Sequence, residues 1–242
     1  MSVSSSTLAL PPSPVFPGGW AGDLAAARRL QLMLAERVVL TGPAVDPPRL
    51  VAGVDAGLED QGTVMHAAAV LLDGQSLQPI AQAVARLPVV MPYIPGMLSF
   101  RELPAVLAAL AQLPDVPDLV MCDGHGIAHP RRLGIAAHLG VWTGLATLGV
   151  AKKRLCGSHD EPGPLRGDRA ELRDRGEWIG TVLRTRDRVA PVIVSPGHRV
   201  SLERAPELVL AMTTRFRLPE PTRLADRLAS QRMLRRDQRK HL

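Results

Sequence analysis

Two aspartates in this chain each follow directly on an apolar run. Asp55 closes Val51-Ala52-Gly53-Val54, and Asp123 closes Leu119-Val120-Met121-Cys122 and opens Gly124-His125-Gly126-Ile127-Ala128-His129-Pro130. Open α/β sheets hold ligands beyond the carboxyl ends of their buried strands, so both carboxylates are expected at the edge of a cleft. A third, Glu102, stands at the start of a predicted helix in Ser99-Phe100-Arg101-Glu102. A few hard oxygen ligands, with positions left for water and phosphate, are what magnesium requires. Such a site can bind a phosphodiester, activate a water and stabilise the leaving oxygen. Plainer accounts exist for each residue: an Asp-Gly turn with an exposed histidine, a strand-end turn at Asp55, and a capping box joining Ser99 to Glu102.

The elements that must position these groups follow from the pattern of apolar residues. Leu24, Ala27, Leu30, Leu34 and Val38 recur on one face and predict a helix from Asp23 to about Val39, ended by Pro43, Pro47 and Pro48. Leu50 to Val54, Ala67 to Leu72 and Ile80 to Leu87, separated by Gly62 and by Asp73-Gly74, predict a three-stranded antiparallel meander. A proline-bracketed loop, Pro92-Tyr93-Ile94-Pro95-Gly96, precedes a helix that turns Leu103, Val106, Leu107 and Leu110 inward. A meander followed by a β-α-β unit would set the first strand beside the strand of Asp123.

Beyond the Asp123 loop, Leu133 to Leu145 is expected to be helical, and Thr147 to Val150 to be a short strand delivering Lys152-Lys153-Arg154 at its end. The polar run from Gly157 to Gly176 reads as a loop. Glu177 to Thr185 and Ala190 to Ser195 read as a hairpin broken by Pro196-Gly197-His198. Ser201 and Thr222 are expected to cap two further helices, with Ala205, Leu208, Val209 and Met212 inward in the first and Leu224, Ala225 and Leu228 in the second.

Composition bounds the function. At 242 residues with 46% hydrophobic content, the chain can build one sizeable core. Lysine and arginine total 29 against 23 acidic residues, a net charge of +6, and the pI is about 10.3, which favours a polyanionic partner. No apolar segment of spanning length and no basic amphipathic helix with an aromatic face is legible, so nucleic acid is preferred to membrane. Two cysteines, Cys122 and Cys156, form no legible disulfide framework or zinc site. Aromatics at 3% exclude a broad stacking platform and leave base stacking to one or two rings. The organisation expected is a flexible extension over residues 1–20, a single catalytic domain over 21–230 and a basic tail over 231–242.

Seven segments, in order, resemble the endonuclease V family: Val51 to Asp55, Met91 to Gly96, Ser99 to Glu102, Asp123 to Gly134, Gly149 to Lys153, Gly197 to Val200 and Pro219 to Arg223. The resemblance implies a ribonuclease H-like α/β fold, a mixed sheet of an antiparallel three-stranded meander plus parallel strands, flanked by helices. It also implies a magnesium-dependent nuclease, with manganese able to substitute, that nicks DNA at the second phosphodiester 3′ to deoxyinosine and leaves 3′-hydroxyl and 5′-phosphate ends. Other deaminated bases and inosine-containing RNA stay open as substrates, as does a binding protein without chemistry.

By the same resemblance Asp55, Glu102 and Asp123 form the acidic centre, Asp226 joins them at the metal, and His129 and Lys152 assist around the phosphate, with Lys153 and Arg154 as phosphate neighbours. For Asp226 an exposed helix residue paired with Arg223 or Arg227 is the plainer account. Pro92, Tyr93, Ile94 and Pro95 resemble the family's strand-separating wedge, where stiff prolines present an apolar, stackable insert. Gly96, Leu98, Gly124 and Ile135 would line the pocket for the flipped base. The expected setting is the cytoplasm and the expected state a monomer.

Overall fold

A computed structural model of the chain describes residues 22–41 and 47–237. The expected N-terminal extension, Pro43 and the last five residues of the basic tail lie outside the described residues.

Eight strands form one sheet in the order β3-β2-β1-β4-β5-β8-β7-β6. β1 (Leu50–Glu59), β2 (Val64–Asp73) and β3 (Pro79–Pro88) are the antiparallel meander. β4 (Leu119–Asp123) and β5 (Thr147–Ala151) extend it in parallel from β1. β6 (Arg169–Asp174), β7 (Glu177–Leu183) and β8 (Val192–His198) complete it, β8 antiparallel to β5, β7 to β8 and β6 to β7. With five α-helices around it among the described residues, this mixed sheet is the ribonuclease H-like arrangement.

Side chains alternate across the sheet. One face carries Ala52, Val54, Val120 and Cys122 and packs on α2 (Leu98–Leu110) and α3 (Ile135–Thr143) through Leu103, Val106, Leu110, Ala136 and Leu139. The other carries Val51, Leu119, Met121, Leu148 and Val150 and packs on α4 (Arg204–Ala211) through Ala205, Leu208 and Val209. On that same face Val70 and Leu72 pack against Ala225 of α5 (Glu220–Asp237), whose backbone crosses β1 at Gly53. The helix α1 (Leu24–Ala35) lies outside α3, with Leu34 against Leu133 and Ala137.

Several boundaries differ from the sequence reading. β1 does not end at Asp55. Its parallel ladder with β4 stops at Val54↔Cys122, while antiparallel pairing with β2 runs on to Glu59↔Val64. α1 stops at Ala35 because the chain is drawn off to β8: Val39 N donates to His198 Nδ1 (3.1 Å), and Val39 O accepts from Arg199 N (2.6 Å). The run 157–176 contains an edge strand, β6, in which Leu172 is fully buried while the residues beside it are polar, a pattern that reads as loop.

Pro196 does not break β8. It pairs with Leu148 at a register shift, where a missing N–H costs no ladder bond, and its carbonyl accepts from Ile127 N (2.8 Å). The capping box is absent: α2 begins at Leu98, one residue before Ser99, and the Ser99 hydroxyl lies 3.1 Å from Nδ1 of buried His138. Ser201 Oγ does accept from Arg204 N (3.2 Å) at the start of α4. Thr222 is inside α5, its hydroxyl donating to Pro219 O (3.2 Å), so it does not cap that helix. The expected helix over 133–145 is trimmed at both ends by Gly134 and by Gly144, which takes a left-handed conformation.

Candidate active site

The alternation that builds the core also aims the carboxylates. Asp55 and Asp123 are the next residues after the last parallel pair, Val54↔Cys122, so they are neighbours at the carboxyl end of the sheet. Their parity is that of Gly53 and Met121, and they therefore face the α5 side. Asp226 on α5 meets them there. One carboxylate oxygen from each of the three lies within 4.8 Å of the others. Lys152, immediately beyond β5, reaches the same point: its Nζ is 2.7 Å from Asp123 Oδ2 and 3.5 Å from Asp226 Oδ1. Asp226 pairs with this ammonium, not with Arg223 or Arg227.

Glu102 approaches from α2, on the opposite side of the sheet. Burial, then the charge of Asp55, pushes its carboxyl up to about 8. Asp55 is likewise pushed up to about 7, first by burial and then by Asp123 and Asp226. Burial opposes the Lys152 ammonium, but its hydrogen bond to Asp123 and the charges of Asp123, Asp226 and Asp55 outweigh this and hold it above its ordinary value. Crowded carboxylates that resist ionisation are a site in want of positive charge. Three convergent oxygen donors with a fourth carboxylate adjacent fit a hard divalent cation.

A cavity of about 200 Å³ opens on the α2–α3 side of the same sheet edge, lined by Gly96, Leu98, Gly124 and Ile135 together with Tyr93, Ser99, His125, Leu133 and Leu155, and bordered by Glu102 and Asp123. Gly124 has φ +151°, and a β-carbon there would stand 2.7 Å from Ile135 Cγ2. Only glycine lets the first residue of α3 close this wall. Tyr93, Leu98 and Leu155 stand at the cavity partly in solvent, 65%, 43% and 49% exposed.

The structure places His129 in the cavity wall. Its Nδ1 accepts from Arg131 N (3.1 Å), so the proton of the neutral ring sits on Nε2. Burial, with Arg131 close by, lowers its pKa to about 4, and burial does the same to His125. Both rings are neutral at neutral pH. Lys153 and Arg154 are exposed just past Lys152, on the segment that leads to Leu155.

Sequence reading missed the residues that hold this wall together. Gln31 of α1 is fully buried, and its Nε2 donates to Gly96 O (2.9 Å) and Leu133 O (3.2 Å). Its Oε1 accepts from Arg131 Nε, and Arg131 Nη2 donates to Gly96 O (2.8 Å). Arg132, left-handed at φ +58°, donates to His129 O (2.9 Å) and pairs with Asp174 (3.0 Å) and Glu177 (2.7 Å), tying the loop to the β6–β7 turn. A lone glutamine at an inward helical position was the one available signal.

The sequence matches the family model described as Endonuclease V over residues 32–227. Among similar proteins, an Endonuclease V of Azotobacter vinelandii is 64% identical over 223 residues, 92% of this chain and all of that one. The crystal structure of Endonuclease V from Streptomyces avermitilis superposes with a TM-score of 0.85 at 46% identity, covering 92% of this chain and 98% of that chain. An Endonuclease V from Ciona intestinalis, in complex with a 23mer DNA containing an inosine followed by a ribo-adenosine, shares the fold with a TM-score of 0.78 at 23% identity over 89% of this chain and 99% of its own. Among the described residues, no helix is long and apolar enough to cross a membrane.

Proposed function

Because the chain belongs to the endonuclease V family, we propose that it hydrolyses the second phosphodiester bond 3′ to deoxyinosine in DNA, in the cytoplasm and as a monomer, leaving a 3′-hydroxyl and a 5′-phosphate. The observation that carries this reading is the juxtaposition of the acidic cluster with the cavity: Asp123 belongs to the cluster and lines the cavity, and Glu102, which feels the charge of Asp55 and Asp123, lines it too. Asp55, Asp123 and Asp226 would hold magnesium, with manganese able to substitute, and Glu102 would complete the set. A magnesium ion so held supplies charge for the phosphodiester and lowers the pKa of a water.

The protein's own groups do the rest. The base enters the cavity between Gly96, Leu98, Gly124 and Ile135, paying for its unstacking with contacts to these walls. Tyr93 and Ile94, stiffened by Pro92 and Pro95, fill the gap it leaves in the stack. Lys152, already charged and aimed at the acidic centre, neutralises the phosphate beside it. Lys153 and Arg154 contact neighbouring phosphates. His129 holds the cavity wall through its bond from Arg131 N and keeps that wall neutral.

A ribonuclease reading has one observation in its favour: the Ciona relative's complex carries a ribo-adenosine directly after its inosine. The deciding experiment is cleavage of matched inosine-containing DNA and RNA oligonucleotides, with and without magnesium, against adenosine controls. A magnesium-dependent nick one nucleotide beyond the inosine in DNA is expected. No nick in either strand would refute the reading, and a nick confined to RNA would replace it with the ribonuclease.

A further inference from the structure

The connection between α4 and α5 carries Arg215-Phe216-Arg217, whose side chains meet Arg223 of α5 on one side and the backbone of Lys152 on the other. Arg223 of α5 stacks on the Phe216 ring, its Cζ 4.3 Å from the centroid, and Arg215 lies over the same ring at 5.0 Å. Arg223 also pairs with Glu220, its Nε 2.9 Å from Oε2. Arg215 is exposed, and among the described residues no carboxylate pairs with it. Arg217 reaches the other way, its Nη2 donating to Lys152 O (3.1 Å) and Pro191 O (2.8 Å).

Position follows from the helix. Arg223 precedes Asp226 by three residues, roughly one turn and about 4.5 Å of rise. The stacked pair therefore sits one turn along α5 from the carboxylates. It lies on the α5 side of the sheet edge, whereas the cavity lies on the α2–α3 side. A strand with a base in the cavity and a phosphodiester at the carboxylates comes up against α5, which supplies Asp226. A guanidinium held over an aromatic ring keeps its forked donors pre-set for phosphate, and its plane can carry a base.

We infer that Arg215 and Arg223, organised by the ring of Phe216, bind the sugar-phosphate backbone of the nucleic-acid strand just beyond the acidic centre, on its 3′ side. The side assigned rests on the cleavage reading above; the contact itself does not.

The test is binding in chelator, so that nothing is cleaved, of a single-stranded inosine oligonucleotide by the full chain, as log affinity against log salt. Arg215→Ala is expected to weaken binding several-fold and to make the slope shallower by about 0.7, the value of one single-strand phosphate contact. Its melting temperature should match wild type, since the side chain is exposed. Phe216→Leu keeps both charges and should weaken binding, with Phe216→Tyr restoring it. On an oligonucleotide ending at the scissile bond, wild type and Arg215→Ala should bind alike. Equal slopes on the full strand would overturn the site. A difference that vanishes only on trimming the 5′ end would overturn its placement. Wild type that neither prefers inosine nor cleaves with magnesium would refute the cleavage reading, while a shallower Arg215→Ala slope on an unmodified strand would still uphold the contact.

Discussion

The carbonyl oxygen of Pro221 lies 1.9 Å from the point where a β-carbon on Gly53 would stand, so α5 rests on the bare backbone of β1. Asp226 follows Pro221 by five residues and depends on that seating. Gly53→Ala must push α5 outward, and overpacking of this kind costs about 1–3 kcal/mol. Denaturant unfolding should register the loss, and cleavage should fall further than stability because Asp226 is withdrawn. Wild-type activity in this variant would mean that Asp226 is dispensable.

The acidic centre should also make the metal-free protein sensitive to alkali. Asp55 has a folded-state pKa near 7, raised from 3.8. A raised carboxyl contributes stability that is fully present below about pH 4 and is lost as the pH climbs through about 7. Glu102, at about 8, extends the loss upward. In chelator, wild type should therefore melt lower at pH 8 than at pH 5, and Asp55→Asn should melt above wild type at pH 8 while cleaving nothing. Parallel melting curves at both pH values would contradict the assigned repulsion.

Tyr93, exposed at the cavity, should act in binding. Tyr93→Ala is expected to weaken affinity for an inosine duplex by roughly 1–3 kcal/mol, one stacking contact, with single-turnover cleavage at saturating protein near normal. Unchanged affinity with a collapsed single-turnover rate would instead make the tyrosine part of the chemistry.

Gln31 holds both walls of the cavity from behind. Gln31→Glu keeps an acceptor for Arg131 but removes the Gln31 donor from Gly96 O, which retains Arg131 Nη2, and from Leu133 O, and it sets a carboxylate oxygen against both carbonyls; losing a buried donor of this kind costs about 1–3 kcal/mol. Stability should drop, and KM for the inosine strand should rise more than kcat falls. A fall in kcat alone would place the effect at the carboxylates.

The meander, the β4 loop and the positions of Asp55 and Asp123 were legible because each is a local pattern of apolar residues meeting a charge. Asp226 has no such local pattern and was named only through the family resemblance, because its part depends on a helix more than a hundred residues away crossing a glycine. Gln31 and Arg132 were invisible for a related reason: they act through backbone carbonyls of other segments, and a carbonyl leaves no mark in a sequence. The edge strand β6 was hidden by its polarity, with Leu172 and the small Ala170 its apolar residues turned to the core. Ser99 misled because the capping pattern was present while its hydroxyl had a better partner in His138.

The cavity opens on one side of the sheet edge and the three aspartates gather toward α5 on the other, with Asp123 common to both and Glu102 lining the cavity beside it. If the cavity reads the base and the aspartates cut, the reading head and the blade are fastened to two sides of one plank. On the proposed reading the plank is a ruler: the offset between the base recognised and the bond cut is set by the strand ends that carry Asp55 and Asp123. It also lets the two parts evolve apart. Substitutions at Gly96, Leu98 or Ile135 can change which base is admitted without moving a ligand of the acidic centre, so an altered appetite would still be served by the same cut.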